Sequence, residues 1–483
     1  MNELTGKNVS IQYQINEEIA PEQSSGPGST LVGNLLNESI RFILLKGEPG
    51  TGKTTLALDL LKKHGRGSYI TTRVSLDQLE THKPELRSLL KKNKEGLKEG
   101  GKGQNLAFQD LRLSVVEDIL QAIMESSEKI GPESLIVLDS WDALSMKLEP
   151  TERMRVEQSL LAIAEASKAK LLFVSEEISL GTSDYFVDAV IQLEDGVHHG
   201  HRLRRMVWKK LRGSEISQRS FLYTLKGGKF SILENTKVLW PEEYQSREFK
   251  PISHGSIRYS TGSEDLDRFL GGGFRKGSSI LLELDNHIGS NWHVPLVQSL
   301  EKNFLANDCA TVIIPTDNRS PMFVKDELAR YFPKNLLASS LRIICNDMPV
   351  DDPCFLKMDP DSVENAQELL SLQIQSLKGP KNRPIFYFIG IDSVESMFGE
   401  AGMDLLGLSF GRNMKYTGDL TISAIKTGST MLGQFVNTID MHLKLEEVDG
   451  TMIMHSKKPP SELYQVEYEY SSGYPNVILQ PIV

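Results

Sequence analysis

Residues 47–55, which read GEPGTGKTT, constrain the fold of this chain more than any other part of its sequence. They satisfy the pattern GxxxxGK[ST], directly after an apolar run at 42–45 and directly before a helical pattern at 54–63. Glycines let the backbone N–H groups of such a loop face phosphate oxygens, and the following helix directs its positive N-terminus at them. The segment therefore predicts a strand, a phosphate-binding loop and a helix.

The loop residues have predicted roles in nucleotide binding. The Lys53 ammonium is expected to reach the β- and γ-phosphates, and the Thr54 hydroxyl to hold Mg²⁺. The predicted nucleotide-binding residues are Gly47, Glu48, Pro49, Gly50, Thr51, Gly52, Lys53, Thr54 and Thr55. ATP and Mg²⁺ are the predicted cofactors, but a loop that contacts phosphates does not distinguish ATP from GTP.

Asp139 closes an apolar run at 135–138 and is the predicted second ligand for Mg²⁺. A carboxylate at the C-terminal end of a parallel strand beside the phosphate loop can hold the ion through its water shell. The alternative is a helix N-cap, because Asp139 and Ser140 both belong to residue types that cap helices well.

Short apolar runs alternate with helical patterns along the whole chain, which predicts an α/β fold with mostly parallel sheets. The second half repeats the layout of the first: apolar runs ending in Asp139-Ser140 and in Asp392-Ser393 are each followed by a helix, a strand and a strand that ends in acidic residues. We predict two tandem domains at 31–240 and 253–483, an arm at 1–30 and a linker at 241–252.

Composition excludes several classes of protein. The net charge of −10 argues against non-specific binding to nucleic acid, and the apolar runs are too short to cross a membrane. The N-terminus lacks the features of a signal or transit peptide. The three cysteines form no CxxC pair, so we expect buried, reduced thiols and a cytoplasmic protein.

Several further segments resemble the RecA-like P-loop ATPases, and among them the duplicated KaiC-type family. The matching segments are 138–140 (LDS), 173–177 (FVSEE), 190–193 (VIQL), 207–214 (VWKKLRGS) and 260–277 (STGSEDLDRFLGGGFRKG). The resemblance covers about residues 40–240 and 253–483, and implies two RecA-like domains whose subunits assemble with nucleotide between them. It therefore implies a homo-oligomer, either a ring or a dimer.

The same resemblance implies catalytic roles for Lys53, Asp139, Lys210 and Arg212. The segment KKLRGS matches the family's K-x-R-G-[ST] strand, so Lys210 and Arg212 are expected to reach the γ-phosphate of a neighbouring subunit. The alternative is an edge strand that carries charge to prevent unwanted pairing.

Two departures from the family matter for function. In KaiC-like proteins the strand after the P-loop helix ends in adjacent glutamates, whereas here it runs through Thr71 and Thr72 into Arg73. Without a carboxylate to orient water, slow hydrolysis is expected. In the second half, residues 284–291 (LDNHIGSN) occupy the phosphate-loop position, with Ser290 in place of lysine and Asn291 in place of Ser/Thr. That domain is predicted to be degenerate and to bind no nucleotide.

One intact loop, one degenerate half and the basic run at 202–212 together resemble the archaeal gas-vesicle regulatory protein D (GvpD-like) family. Residues 198–213 contain six Lys/Arg and no acidic residue. The resemblance implies a regulator that contacts a protein partner through this run or through the second domain. The alternatives are solvated charge on a strand and a contact with nucleic acid.

Other polar and aromatic clusters have two interpretations each. His198, His199 and His201 lie in a predicted turn, which favours a polar hairpin tip over a metal site. Trp141 is expected to pack in the core, with stacking on a nucleotide base as the alternative.

The predicted function is a nucleotide-dependent regulatory switch. The alternatives are a DNA-acting ATPase, which the acidic charge disfavours, and an autokinase, which the lost second loop disfavours.

Overall fold

We describe a computed structural model of the chain, covering residues 35, 40–84, 105–112, 114–181, 183–213, 215–289, 291–346, 351–358, 363–399 and 417–483. The predicted N-terminal arm at 1–30 lies outside these residues, and so does Ser290. In the part of the chain that is described, none of the helices combines the length and the apolar character that a membrane span requires.

The first half forms one sheet, whose strands within the described residues are β1 (Phe42–Gly47), β2 (Arg66–Thr71), β3 (Asn105–Asp110), β4 (Leu135–Asp139), β5 (Lys170–Ser175), β6 (Ala189–His198), β7 (His201–Leu211), β8 (Ser220–Thr224) and β9 (Ser231–Ile232). Their order is β3-β2-β4-β5-β1-β6-β7-β8-β9. The first six strands in this order, which are β3, β2, β4, β5, β1 and β6, are parallel. Strands β7, β8 and β9 continue the sheet as an antiparallel meander.

The second half begins with a small two-stranded sheet and then forms a large sheet of its own. The strands are β10 (Arg258–Tyr259), β11 (Phe274–Arg275), β12 (Ser279–Leu284), β13 (Ala310–Ile314), β14 (Leu341–Cys345), β15 (Phe355–Lys357), β16 (Ile385–Gly390), β17 (Leu420–Lys426), β18 (Met441–Val448), β19 (Thr451–Lys458), β20 (Tyr464–Glu469) and β21 (Asn476–Pro481). The large sheet has the order β15-β14-β13-β16-β17-β12-β18-β19-β20-β21.

Helices cover both faces of the two large sheets. Those of the described residues are α1 (Lys53–His64), α2 (Leu76–His82), α3 (Val116–Ile130), α4 (Trp141–Ser145), α5 (Pro150–Ser167), α6 (Ser183–Phe186), α7 (Glu264–Phe269), α8 (Val294–Ala306), α9 (Pro321–Ala329), α10 (Lys334–Ser340), α11 (Val363–Lys378), α12 (Ile391–Phe398) and α13 (Leu432–Val436), with a 3₁₀ turn at Lys226–Gly228. In the first half, Ile43 and Leu45 pack with α1, whereas Phe42 and Leu44 pack with α3 and α5 on the opposite face. The predicted α/β fold is confirmed.

The two large sheets have the same topology. When β1 is matched with β12 and the strands are followed outward, every neighbour and every parallel or antiparallel pairing in the first sheet has a counterpart in the second. Strand β15 is an addition at one edge of the second sheet. This correspondence supports the duplication that strand order and spacing predict. The predicted linker at 241–252 falls between Ile232, where β9 ends, and the first strand of the second half.

The halves are joined through their antiparallel meanders. Six buried apolar side chains form a cluster to which both halves contribute: Leu203, Leu222, Leu233, Ile453, Leu463 and Ile482. At the edge of this cluster the Arg205 guanidinium contacts the Asp449 carboxylate at 2.8 Å. The two halves therefore share an apolar core as well as polar contacts.

A buried carboxylate in β12 gives the second half a predictable response to acid. Glu283 is 1% exposed and accepts hydrogen bonds from His442 (2.7 Å), Lys457 (2.7 Å) and Thr427 (3.0 Å). Burial alone would raise the pKa of the Glu283 carboxyl, but these hydrogen bonds outweigh it and lower the pKa to about 2. Because this value lies below the ordinary 4.5, the charged carboxylate stabilises the fold above pH 4.5, and that contribution is lost as the pH falls toward 2.

We expect Glu283→Gln to reduce the free energy of unfolding by about 3 kcal/mol at neutral pH, because a shift of one pKa unit corresponds to about 1.4 kcal/mol. The difference from the wild type should shrink between pH 4.5 and pH 2. Urea denaturation across this range measures it, with Glu264→Gln, at an exposed carboxylate, as the control. A difference that stays constant with pH would contradict the assignment.

Candidate nucleotide-binding site

The phosphate loop connects β1 to α1 at the C-terminal edge of the parallel strands. Gly52 has φ +95, and a Cβ atom there would lie 2.8 Å from the Leu225 side chain, so only glycine fits without strain. At Gly47, a Cβ atom would lie 2.7 Å from the Leu193 carbonyl oxygen. Glu48, Pro49 and Gly50 form the exposed tip of the loop. The loop therefore has the backbone shape that the glycine pattern predicts.

Lys53 is folded back onto the loop. Its side chain is buried, and Nζ donates to the carbonyl oxygens of Gly47 (2.7 Å) and Glu48 (2.9 Å). Burial lowers the pKa of Lys53, while the negative charges of Glu176 and Asp139 act in the opposite direction. The ammonium is therefore already positioned inside the cradle, with acceptors that phosphate oxygens can replace.

Thr54 and Asp139 lie together, as the predicted magnesium site requires. The Thr54 hydroxyl donates to Asp139 Oδ2 at 2.7 Å, although the two residues are separated by 85 positions in sequence. Strand β5 lies between β1 and β4, so the two strand ends are close enough for these side chains to meet. The N-cap alternative for Asp139 is wrong, because the residue that caps α4 is Ser140, whose hydroxyl accepts from the Ala143 N–H.

Two tyrosines that sequence reasoning missed support the site. Tyr69 in β2 donates from its hydroxyl to Asp139 Oδ2 at 2.6 Å. Burial and the Asp139 charge raise the pKa of Tyr69 well above its ordinary value, so the phenol remains a donor. Tyr223 in β8 donates to the Thr51 carbonyl oxygen at 2.6 Å and stacks on Phe230. Tyr69 fixes the carboxylate, and Tyr223 fixes the loop.

The chain carries no carboxylate directly after β2, as the sequence shows. The Thr72 hydroxyl at this position is hydrogen-bonded to the backbone of Ser140. Thr72 Oγ1 donates to the Ser140 carbonyl oxygen at 2.7 Å and accepts from the Ser140 N–H at 2.9 Å. Arg73 forms an ion pair with Glu176, at the end of β5. The negative charge of Glu176 also acts on Lys53. The sequence indicated Glu176 only as part of a family motif.

Comparison with known proteins adds to this geometry. A family model described as "GvpD gas vesicle protein, P-loop domain" matches residues 35–212, and one described as "GvpD basic region 2" matches residues 248–345. Protein GvpD2 of Halobacterium salinarum is 23% identical over 467 residues, covering 91% of this chain and 93% of that protein. Protein GvpD1 of the same organism is 22% identical over 515 residues, covering 91% of this chain and 94% of that protein.

The chain belongs to the GvpD-like family. The resemblance to this family is confirmed over both halves, because the P-loop match lies in the first half and the basic-region match begins at residue 248 and continues into the second. The run at 202–212 falls at the end of the P-loop match rather than in basic region 2.

Most cations of this run are engaged within the GvpD-like chain itself. Arg202 pairs with Asp195, Arg205 with Asp449 and Lys209 with Glu194, whereas Arg204 is buried. These contacts reduce the charge that the run can offer to a partner.

Lys210 and Arg212 also have acceptors within the chain. Lys210 Nζ donates to the carbonyl oxygens of Asp184 (2.8 Å) and Tyr185 (3.0 Å), and Arg212 Nη2 donates to the latter at 3.0 Å. Lys210 is paired with Val190, near the start of β6, whereas Gly47 of the phosphate loop is paired with Leu193. The structure does not bring either cation to the loop of its own chain, so a role toward a neighbouring subunit stays a prediction.

The equivalent loop of the second half is filled by its own side chains. A Cβ atom at Gly289 would lie 2.5 Å from the Trp292 indole nitrogen, and the Asp285 carboxylate accepts from the His287 N–H. Asp392, the counterpart of Asp139, contacts Lys426 at 3.5 Å.

Other predicted features lie as expected. Trp141 is 2% exposed and packs on Phe173, which agrees with the core interpretation. Cys309, Cys345 and Cys354 are buried free thiols.

Proposed function

We propose that this GvpD-like chain is a nucleotide-dependent switch of gas-vesicle regulation, which binds ATP and Mg²⁺ in its first half, hydrolyses ATP slowly and controls a protein partner. The observation that carries the proposal is the 2.7 Å contact between Thr54 and Asp139 beside an intact loop that already contains Lys53. The family descriptions supply the gas-vesicle context.

The residues present fit the nucleotide and the ion. Backbone N–H groups of 47–55 and the Lys53 ammonium would hold the phosphates. The hydroxyl of Thr54 and the carboxylate of Asp139 are oxygen ligands of the kind that Mg²⁺ prefers. When bound, the ion neutralises charge on the phosphates. The chain's own contribution is to orient these ligands, which Tyr69 does for Asp139.

Slow hydrolysis follows from the end of β2. A water molecule that attacks the γ-phosphate needs a group to orient it. Thr72 cannot supply a carboxylate, and its hydroxyl is committed to Ser140 in both directions. Glu176 is a carboxylate whose charge acts on Lys53, but it is engaged in an ion pair with Arg73.

A path of contacts connects the loop to the second half. Tyr223 donates to Thr51, and Leu225 lies against Gly52. The Leu225 N–H donates to the Val483 carbonyl oxygen at 3.4 Å, and the Thr224 hydroxyl donates to that of Pro481 at the same distance. A nucleotide that displaces Lys53 from the loop carbonyls would therefore change the contacts of the loop with β8. Strand β8 in turn contacts the last residues of the second half.

The test is calorimetry with ATP, with and without Mg²⁺, combined with phosphate release. We expect tight binding, little release, and for Asp139→Asn a loss of at least about tenfold in affinity that is seen only with Mg²⁺, since one charged ligand contributes about 1.5–3 kcal/mol. Asp77→Asn, at an exposed carboxylate in α2, is the control.

Two results would contradict the proposal. Rapid phosphate release by the wild type would favour an ATPase motor. An equal loss of affinity in Asp139→Asn with and without Mg²⁺ would remove the carboxylate from the ion site. Hydrogen exchange across 220–232 and 476–483 tests the path between the halves, and the switch requires these strands to respond to ATP.

A further inference from the structure

Histidines from both halves converge on one buried carboxylate. His198, His199 and His201 lie where β6 turns into β7 in the first half. Glu446 in β18 and His455 in β19 belong to the second half. The hairpin tip that the sequence predicts is therefore docked against the second sheet, and four of the chain's ten histidines meet there.

The ligand atoms of His198, His199 and Glu446 all lie within 4.8 Å of one another, as a metal site requires. Nε2 of His198 lies 3.0 Å from Glu446 Oε1, and Nε2 of His199 lies 3.1 Å from Oε2 of the same carboxylate. Nδ1 of His455 lies 3.6 Å from Glu446 Oε1. A tetrahedral zinc ion with bonds of about 2.0–2.1 Å places its ligand atoms about 3.3 Å from one another.

Three of these buried atoms lack hydrogen bonds. His198 Nε2, His455 Nδ1 and Glu446 Oε1 find no hydrogen-bond partner of good geometry among the described residues, although they lie close together. Buried polar atoms are normally paired, so this group of atoms calls for a partner at its centre. The His199 side chain is 44% exposed, which leaves an entry route from solvent.

One cation already lies beside the carboxylate. Lys444 Nζ is 3.2 Å from Glu446 Oε2 and 3.3 Å from His199 Nε2. It also lies 3.9 Å from Asp285, a second carboxylate toward which the ammonium can move. The remaining neighbour is His201, whose Nδ1 is 3.6 Å from Glu462. A metal ion would take the place of the Lys444 contact, with Asp285 receiving the ammonium.

We propose that His198, His199 and Glu446 bind a zinc ion, with His455 as the fourth ligand. Imidazole and carboxylate together suit Zn²⁺ rather than Mg²⁺ or Ca²⁺, which take oxygen ligands. Because two ligands come from each half, the ion would fasten the β6–β7 hairpin to the second sheet. The site lies apart from the phosphate loop and does not depend on the proposed nucleotide switch.

The experiment uses the full chain purified without a histidine tag and freed of metal by chelation. We expect one Zn²⁺ per chain by titration calorimetry, an upward shift in Tm that grows with zinc concentration, and a visible absorption band of four-coordinate cobalt when Co²⁺ is used. His199→Gln should weaken zinc binding more than about 100-fold, because it removes a direct ligand. His64→Gln, at a histidine of the first half whose ring contacts the Glu133 carbonyl oxygen, should leave it unchanged.

Absence of stoichiometric binding would overturn the proposal, and so would binding of equal strength in wild type, His199→Gln and Glu446→Gln. The second variant removes a buried charge and tests the carboxylate if it folds. The first alters a half-exposed side chain, so it decides the question on its own if the second does not fold.

Discussion

We expect Lys53→Ala to lower the affinity for ATP by at least about 100-fold and to remove any phosphate release. Hydrogen bonds from a charged donor contribute about 1.5–3 kcal/mol each, and the Lys53 ammonium makes two at once to the loop carbonyls. When nucleotide binds, the same two bonds can pass to the phosphates. Alanine has no group that replaces them.

The measurement is calorimetry with ATP and Mg²⁺, together with phosphate release, on both proteins. Lys63→Ala changes an exposed lysine in the same helix and controls for loss of positive charge. If Lys53→Ala binds and turns over ATP as the wild type does, nucleotide binding at 47–55 is wrong. Binding lost in the variant, with slow release in the wild type, supports a switch.

We expect Arg319→Met to lower the free energy of unfolding by about 3–5 kcal/mol. The Arg319 side chain is 1% exposed and forms a two-pronged ion pair with Glu301, at 2.6 and 2.8 Å. Glu327 lies 3.6 Å away, and Lys302 is buried nearby. Methionine keeps much of the volume but leaves the two carboxylates of this cluster, Glu301 and Glu327, with Lys302 as their buried cation.

Urea denaturation of the full chain measures this loss. Arg330→Met, whose guanidinium pairs with Glu242 at the surface, should cost no more than about 1 kcal/mol. Adding Glu301→Gln to Arg319→Met should recover part of the stability, because it removes the uncompensated charge. If the double variant is no better than the single one, the loss comes from packing and not from charge.

The sequence predicts features that are encoded locally. The phosphate loop is recognised from nine consecutive residues and their neighbours, and the end of a buried strand locates Asp139. Their contact could be anticipated, because carboxyl ends of parallel strands lie at one edge of a sheet. Apolar runs likewise predict the central strands, such as β1, β4 and β16.

Contacts between distant residues were not predictable in this way. The Tyr69 and Tyr223 hydroxyls reach Asp139 and Thr51 across 70 and 172 positions, and no spacing rule connects such pairs. The basic run at 202–212 shows the same limit, because composition reveals its charge but not the acceptor at Asp449. The edge strand β3 (NLAFQD) was not predicted, because its apolar run is only three residues long and polar residues flank it.

The apolar cluster between the meanders has an evolutionary consequence. A gene duplication leaves two copies of a site, and one copy is free to decay. In this chain a change in the phosphate-loop sequence of the second half does not make that half dispensable, because its side chains pack on Leu203, Leu222 and Leu233 of the first half. Selection is therefore expected to preserve the residues of the second half that cover the apolar surface of the first. The loop sequence of the second half can change, whereas Ile453, Leu463 and Ile482, which form the apolar cluster with the first half, cannot.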